Sequence, residues 1–325
     1  MTEEDLDSFL TEFGFAPSAR LIGRSQNFVY LASLQGKDSI ARVSFGRHRT
    51  RGQIEAELAW IRLLAQRGVA VSRPLLSSCA EWCAERTVNG SVYILSAFEK
   101  APGQKPERSE LTETFARMAG ELVGQMHSAA LSATSSNLLF SRDNWRSSRL
   151  ITHDLATTTA PIGEPFWKAI HTLVSEIAAL PIEPTTFGLI HGDINSGNCH
   201  LDADRLWIFD FDNCEYGYFL QDLTVMLYDT FYSKFVKHLP PEALIEQVFR
   251  LWRSFLVGRL STGPCFTFRA GDLRRFFLLR EATIYLHYYR IFPAAQLAAD
   301  NYLNEMRTHV ETMQHPLDFE RLANI

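Results

Sequence analysis

The pattern of apolar and polar positions changes near residue 100. Before that point, short apolar runs alternate with polar turns that contain glycine, and the runs fall at residues 21–32, 39–45 and 92–99. This pattern predicts antiparallel β-strands. Asn89-Gly90 lies between two such runs and is a strong signal for a two-residue hairpin turn. The first part of the chain therefore predicts an antiparallel sheet.

Apolar residues after residue 107 recur at helical spacing instead, most clearly at residues 111–130 and 166–180. Such spacing places them on one face of a helix. We therefore predict a sheet-rich domain over residues 1–100 and a mainly helical domain over residues 101–325, with the boundary at residues 101–107. His127 falls at the predicted end of the first of these helices, and we expect it to be a packing or capping residue.

Two helices are also predicted inside the sheet-rich region, at residues 3–13 and 53–67, each stopped by a glycine. In the strand at residues 39–45, alternation puts Arg42 and Ile40 on one face and Ala41 on the other. An arginine among apolar strand residues requires a partner.

Two apolar runs in the second region end in oxygen-bearing side chains. The run at residues 187–190 leads into a loop with Asp193 and Asn198, and the run at residues 206–209 leads into Asp210. We expect these three side chains to meet at the strand ends, where catalytic groups commonly lie. The alternative interpretation is plain turn chemistry, because Asp and Asn are ordinary turn residues.

These three side chains offer only oxygen ligands, which suit Mg²⁺ and do not suit zinc. Mg²⁺ takes one or two carboxylates and leaves its other positions to water and phosphate. The remaining carboxylate can then orient or deprotonate a nucleophile. This division of roles is typical of phosphoryl transfer.

The motif His191-Gly192-Asp193-x-x-x-x-Asn198, followed by Phe209-Asp210-Phe211-Asp212, resembles the aminoglycoside phosphotransferase/homoserine kinase/choline kinase superfamily. The continuation at residues 216–223 resembles the bacterial group of stress-response kinase A and type II homoserine kinase. The resemblance implies an α+β, bilobal protein-kinase-like fold. Its small lobe would be an antiparallel sheet with a helix, and its large lobe mainly α-helical. ATP and Mg²⁺ are the implied cofactors, with ATP bound between the lobes.

The same resemblance gives roles to the residues of the motifs. Asp193 would orient the acceptor hydroxyl and take its proton, and Asn198 and Asp210 would bind the metal. Three further residues would support the site without touching the reacting atoms: His191, Asp212 and Asp222. Asp222 opens a predicted helix and can accept backbone N–H groups of the catalytic loop.

The nucleotide site is also implied by the resemblance. The turn of the first hairpin would contact the phosphates through Ser25, Gln26 and Asn27. Arg42 would take the place of the usual Lys. Its partner would be Glu57, which lies next to the apolar stripe of the helix at residues 53–67, with Glu55 on another face as the alternative. Phe98 and Glu99 would lie at the hinge near the adenine. Without the motifs, the hairpin would be only a hairpin and Arg42 an exposed edge-strand residue.

Composition excludes several other classes of function. The chain of 325 residues is 46% hydrophobic and 21% charged, with a net charge of −5, as in soluble globular proteins. We therefore predict neither a nucleic-acid nor a membrane partner. No apolar run approaches the ~20 residues of a membrane span, and the first residues are acidic, unlike a secretory signal. Five sparse cysteines suit a reducing compartment, so we predict a cytoplasmic protein.

The acceptor is predicted from the charges of the helical region. A polycationic aminoglycoside requires clustered carboxylates, whereas this region is rich in arginine, at positions 250, 253, 259, 269, 274, 275 and 280. We therefore expect a small-molecule hydroxyl acceptor of the amino acid or amino alcohol type. A Ser/Thr protein kinase and a nucleotide-binding pseudokinase scaffold are the alternatives. The oligomeric state, monomer or homodimer, is open.

Overall fold

The computed structural model describes residues 2–136, 140–147 and 162–325. The described helices are α1 (Glu3–Phe13), α2 (Arg51–Gln66), α3 (Glu113–Ser135), α4 (Glu164–Ala178), α5 (Phe219–Met226), α6 (Pro241–Thr262), α7 (Ala270–Ile291), α8 (Ala294–Ala299), α9 (Asn301–Thr312) and α10 (Phe319–Ala323). The described strands are β1 (Arg20–Arg24), β2 (Asn27–Leu34), β3 (Lys37–Phe45), β4 (Pro74–Leu75), β5 (Cys83–Val88), β6 (Ser91–Glu99), β7 (Phe187–Ile190), β8 (Cys199–Asp202), β9 (Arg205–Ile208) and β10 (Glu215–Tyr218). A π-helical segment, Leu227–Tyr232, follows α5 directly.

The chain divides into two compact units. The first contains the described residues of Met1–Lys105, Leu138–Arg142 and Cys199–Asp212. The second contains those of Pro106–Asn137, Asp143–Asn198 and Asn213–Ile325. The first unit is rich in sheet and the second is mainly helical, so the predicted α+β class is confirmed.

An antiparallel sheet dominates the first unit, with strand order β1-β2-β3-β6-β4 and with β5 paired to β6. Asn89 and Gly90 have φ angles of 50° and 76° between β5 and β6. Positive φ at both turn residues is the geometry that Asn-Gly favours in a two-residue hairpin. The hairpin predicted at Asn89-Gly90 is therefore confirmed.

The core of the first unit lies on one face of this sheet. Phe9 and Phe13 of α1 pack there against Ala41, Val43 and Leu95, all of them buried. The side chains of β3 alternate between faces, so Arg42 lies on the face opposite to this core. That face carries the cavity described in the next subsection.

Close packing of α3 against α6 depends on glycine. A Cβ atom at Gly258 of α6 would lie 2.0 Å from the carbonyl oxygen of Arg117 in α3, and one at Gly120 of α3 would lie 2.0 Å from that of Phe255 in α6. Real Cβ atoms do not approach carbonyl oxygens so closely, and packed interiors have no spare volume to absorb the clash. The two backbones can therefore approach this closely only because both helices carry glycine at the crossing.

Three features of the second region differ from expectation. The helix predicted at residues 111–130 runs from Glu113 to Ser135, because alanine-rich sequence without Gly or Pro continues it. His127 therefore lies inside α3, is buried, and does not cap an end. Strand β8, only four residues long, was not predicted.

No helix within residues 2–136, 140–147 and 162–325 combines the length and apolar character needed to cross a bilayer.

Replacing Gly258 by alanine tests the helix crossing. We expect Gly258→Ala to lower the free energy of unfolding by about 1–3 kcal/mol, because the added methyl must push the backbones apart. Gly52→Ala is the matched control, since Gly52 of α2 is exposed and a Cβ atom there meets nothing within 4 Å. The control should be neutral or stabilising by up to about 1 kcal/mol. Urea denaturation measures both, and equal stability of Gly258→Ala and the parent protein would contradict this account of the packing.

Candidate active site

A cavity of about 300 Å³ lies in the first unit. Its apolar lining comes from the sheet, from α2 and from the segment that follows β9, and includes Ile22, Val29, Ile40, Ile61, Phe98 and Phe209. Its polar lining includes Ser25, Asn27, Arg42, Glu57 and Asp210. A concave apolar site with a few convergent charged groups is the usual form of a small-molecule or cofactor site.

Arg42 is held in this cavity by a buried ion pair with Glu57. Its Nη1 and Nη2 atoms lie 2.7 Å and 2.8 Å from the two carboxylate oxygens of Glu57. Burial alone would lower the pKa of Arg42, but the Glu57 carboxylate holds it above its usual value. The guanidinium also lies over the Phe98 ring, 4.9 Å from its centroid. Glu55, the alternative partner, pairs instead with Arg51 on the surface.

Asp210 occupies a turn that its neighbours hold in place. Its φ angle is +66°, a sparsely populated conformation that persists only where surrounding contacts determine it. Two residues later, the carbonyl oxygen of Asp212 accepts hydrogen bonds from Arg49, at 2.8 Å and 3.1 Å, and from Arg142. The strained backbone is therefore fixed by charged donors at Asp212.

Asp212 itself is buried and charged. Burial would raise the pKa of its carboxyl, but the guanidinium groups of Arg42, Arg49 and Arg142 hold that pKa below its usual value. Arg49 and Arg142 were not predicted as site residues. Arg49 lies 163 positions from Asp212 in the chain, so no local motif could reveal this contact.

The loop of Asp193 and Asn198 lies in the second unit. Asn198 Nδ2 lies 2.9 Å from the Asp193 carbonyl oxygen and 3.1 Å from its carboxylate Oδ2. Both of those atoms are acceptors, so the amide nitrogen must face them. Asn198 Oδ1 is therefore directed away from Asp193 and can serve as a metal ligand.

The buried carboxylate of Asp222 anchors this loop. It accepts the backbone N–H groups of His191 and Gly192 at 3.0 Å and 2.9 Å, and it lies 3.2 Å from His127 Nε2. Burial would raise its pKa, but these hydrogen bonds keep it below the usual value. Burial lowers the pKa of His127, so the neutral ring donates its Nε2–H to Asp222. His127 therefore belongs to the support of the loop. It also packs on the Phe219 ring, with the ring centroids 4.2 Å apart, as expected of a packing residue.

Arg280 of α7 contacts Asp193 directly. Its Nη2 atom lies 2.5 Å from Asp193 Oδ1, and its Nε atom lies 2.7 Å from Asp229 Oδ2. The sequence analysis used Arg280 only as one of the arginines that bear on the acceptor, and it did not predict the partners of this residue. A charged residue in apolar surroundings was the signal that it has partners.

Residues 18–257 of the chain match the model of a protein family described as the phosphotransferase enzyme family. The chain belongs to the phosphotransferase enzyme family. This confirms the resemblance drawn from the motifs and the prediction that the protein is an enzyme that transfers phosphate.

Individual relatives of this phosphotransferase agree with that assignment. It is 28% identical to the amicoumacin kinase of Bacillus subtilis (strain 168) over 247 residues, which are 75% of this chain and 73% of that protein. A solved amicoumacin kinase in complex with AMP-PNP, Ca²⁺ and Ami superposes with a TM-score of 0.89 at 24% identity, covering 99% of this chain and 97% of the other. A microcompartment-associated aminopropanol kinase superposes with a TM-score of 0.73 at 19% identity, covering 95% of each chain. The two structures show that the fold is shared.

The predicted site residues of the phosphotransferase fall into two groups. Ser25, Asn27, Arg42, Glu57, Phe98 and Asp210 line the cavity of the first unit. Asp193, Asn198, His191 and Asp222 form the hydrogen-bonded loop of the second unit. Gln26 and Glu99 are not among the described residues that line the cavity. Gln26 is exposed at its turn, and Glu99 faces Arg73 on the surface, 3.9 Å away.

A second cluster of metal-ligand residue types lies near the end of the chain, formed by Glu281, His309 and His315. The backbone N–H of Leu317 donates to His315 Nδ1 at 3.1 Å. The neutral His315 ring therefore carries its proton on Nε2, which faces Glu281, and that nitrogen has no lone pair to offer a metal. We interpret the cluster as a buried polar contact among the C-terminal helices.

Removal of Glu57 tests the buried pair in the cavity. We expect Glu57→Ala to lower the free energy of unfolding by about 3–5 kcal/mol, because it leaves the Arg42 charge buried without a partner. Glu55→Ala is the control and should cost less than about 1 kcal/mol, since its surface pair is exposed. Chemical denaturation of both variants checks this. An equal loss of unfolding free energy in Glu57→Ala and Glu55→Ala would show that breaking the buried Arg42–Glu57 pair costs no more than breaking a surface pair.

Proposed function

We propose that the protein is an ATP-dependent kinase that transfers the γ-phosphate to a hydroxyl group of a small molecule. The observation that carries this proposal is the arrangement of Asp193 and Asn198. One amide nitrogen fixes the Asp193 carboxylate and leaves the amide oxygen for a metal. This is the arrangement that phosphoryl transfer requires of a catalytic-loop Asp and an Asn five residues on.

The nucleotide would occupy the cavity of the first unit. Its size and apolar lining suit a base, and Arg42 at its charged end suits phosphate oxygens. Glu57 holds the guanidinium in one orientation, so little freedom is lost on binding. Ser25 and Asn27 would contact the phosphates from the hairpin turn, as the family pattern implies.

Asp210 and Asn198 are proposed as metal ligands, as the family pattern implies. Each offers a hard oxygen donor, and a carboxylate and an amide oxygen are ligand types that suit Mg²⁺, with phosphate and water completing its coordination. The fixed turn at Asp210 means that this ligand needs no rearrangement. When bound, Mg²⁺ supplies neutralisation of the charge on the phosphate oxygens.

Asp193 would perform the chemistry at the acceptor. The acceptor hydroxyl donates to the Asp193 carboxylate, its oxygen forms a bond to the γ-phosphorus, and the bond from that phosphorus to the bridging oxygen breaks to release ADP. The proton passes to Asp193 late in the reaction. A strong base is not required here, since positioning and charge neutralisation supply most of the rate.

The acceptor is proposed to be of the amino alcohol or amino acid type. One supporting observation is the name of a structural neighbour, an aminopropanol kinase. A second is the arrangement at Asp193, where two carboxylates share one guanidinium and can accept hydrogen bonds from an ammonium group. The abundance of arginine carries less weight than it did in the sequence, because Arg259 is buried and Arg275 and Arg280 are paired.

The roles of Asp193 and Asp210 can be separated by two variants. Asp193→Asn should lower kcat by about 10²–10⁴-fold while leaving Mg²⁺-dependent affinity for a nonhydrolysable ATP analogue unchanged. Asp210→Ala should abolish the Mg²⁺ dependence of that affinity. Calorimetry with and without Mg²⁺ and a turnover assay measure both quantities. Full turnover in Asp193→Asn would exclude its proposed role.

The acceptor class can be tested by a screen of ADP release. We expect turnover with amino alcohols or hydroxylated amino acids, and little with aminoglycosides. Among the described residues, two carboxylates share one guanidinium at Asp193, whereas a polycation requires clustered, unpaired carboxylates. Generic protein substrates with radiolabelled ATP form the other arm of the screen. Phosphorylation of protein alone would replace the small-molecule proposal with the Ser/Thr protein kinase alternative.

A further inference from the structure

Arg280 is a charged residue in apolar surroundings. It follows a run of four buried residues in α7, from Phe276 to Leu279, and its own side chain is 11% exposed. Keeping a guanidinium in such a place requires ion pairs of good geometry. The partners that Arg280 has are therefore informative about why the residue is there.

A single nitrogen of Arg280 bridges two carboxylates. Nη2 lies 2.5 Å from Asp193 Oδ1 and 2.7 Å from Asp229 Oδ2, and Nε lies 2.7 Å from the same Asp229 oxygen. The other carboxylate oxygen of Asp193 accepts from Asn198. Asp193 is thus held at both oxygens, and rotation of its side chain would break at least one charge-assisted hydrogen bond.

Asp229 belongs to a segment that contacts the catalytic loop twice. The segment is the π-helical stretch Leu227–Tyr232, a rare conformation that is frequent at functional sites. Asp229 reaches the loop through Arg280, and its neighbour Thr230 accepts the backbone N–H of Ser196 at 2.9 Å. Both contacts fix the short stretch that carries Asp193 and Asn198.

The charge of Asp229 depends on Arg280. Burial raises the pKa of Asp229 to about 6, and Asp193 adds to the rise, although Arg280 and Lys234 oppose it. At neutral pH the carboxylate is therefore mostly ionised and able to hold the guanidinium.

We propose that Arg280 is a positioning residue for phosphoryl transfer, held by Asp229 and fixing the Asp193 carboxylate for the acceptor hydroxyl. The inference rests on the proposed role of Asp193. Arg280 acts through Asp193, so its loss should lower the rate of the chemical step more than the affinity for acceptor or nucleotide. A misplacement of about 1 Å in such a group can cost about 10²-fold in rate.

The test compares Arg280→Ala with Arg275→Ala. Arg275 lies on the same helix and pairs with Glu176 and Asp272, which have no proposed catalytic role, so it controls for loss of an ion pair from α7. We expect kcat to fall by about 10²-fold in Arg280→Ala and by less than about twofold in the control. KM for acceptor and for ATP should change little in both.

Chemical rescue distinguishes positioning from a structural role. Millimolar guanidinium chloride, well below denaturing concentration, should raise the kcat of Arg280→Ala about tenfold, because the free ion can bridge the same two carboxylates. It should not restore Asp193→Asn. A loss of kcat without any rescue, accompanied by a matching loss of melting temperature, would overturn the proposal, as would unchanged kcat.

Arg280→Lys covers the case in which the alanine variant does not fold. Lysine keeps the charge but cannot reproduce the planar fork, so kcat should fall with little change in melting temperature. A wild-type rate in Arg280→Lys, or failure of that variant to fold as well, would overturn the proposal. Failure of the proposed kinase function would appear in the wild-type enzyme, as absence of transfer to any acceptor, and is therefore distinguishable from failure of this inference.

Discussion

The loop of Asp193 and Asn198 depends on one buried carboxylate, that of Asp222. It takes two consecutive backbone N–H groups, from His191 and Gly192, and a third donor from His127. A carboxylate in such a place is costly unless its acceptor sites are filled. Here the unfavourable burial is offset by donors that are themselves fixed, two on the loop and one inside α3. The backbone just before Asp193 is thereby locked to the helix that follows β10.

The turn at Asp210 is fixed in a similar way, but by cationic donors and not by a carboxylate. Arg49 and Arg142 donate hydrogen bonds to the backbone carbonyl oxygen of Asp212. Both candidate ligand-bearing turns thus combine an unusual backbone angle, at Gly192 or Asp210, with charged contacts from distant parts of the chain. Because these groups are already fixed, a phosphotransferase can stabilise the charge of its substrates without moving its own side chains or backbone. The proposed role of Arg280 extends the same principle from the backbone to the Asp193 side chain.

Features set by local chemistry could be predicted from the sequence. Asn89-Gly90 fixed a turn because few residues accept its φ angles, and the spacing of α2 was enough to select Glu57 over Glu55. The ordered motif with Asp193, Asn198 and Asp210 was sufficient to identify the family. Contacts between distant residues could be predicted only inside the family motifs, as for Asp222 and the loop at Gly192. Those outside the motifs could not be predicted. Arg142 contacts Asp212 across 70 positions and Arg280 contacts Asp193 across 87, and neither pair has a sequence pattern. His127 was predicted at the end of a helix because the predicted helix ended at residue 130, whereas α3 continues to Ser135.

The first unit is assembled from three separate stretches of chain. This limits how much of it can fold while the chain is still being synthesised. The last stretch supplies β8, β9 and Asp210, and β9 pairs through Ile208 with the backbone at Ala70 and Ser72. A nascent chain that has left the ribosome only as far as Lys105 therefore holds the sheet but lacks one wall of its cavity. That wall arrives after roughly another hundred residues, at the slow pace of synthesis. During that interval the cavity cannot be complete, so the proposed nucleotide site is unfinished on the nascent chain until residues 199–212 have emerged.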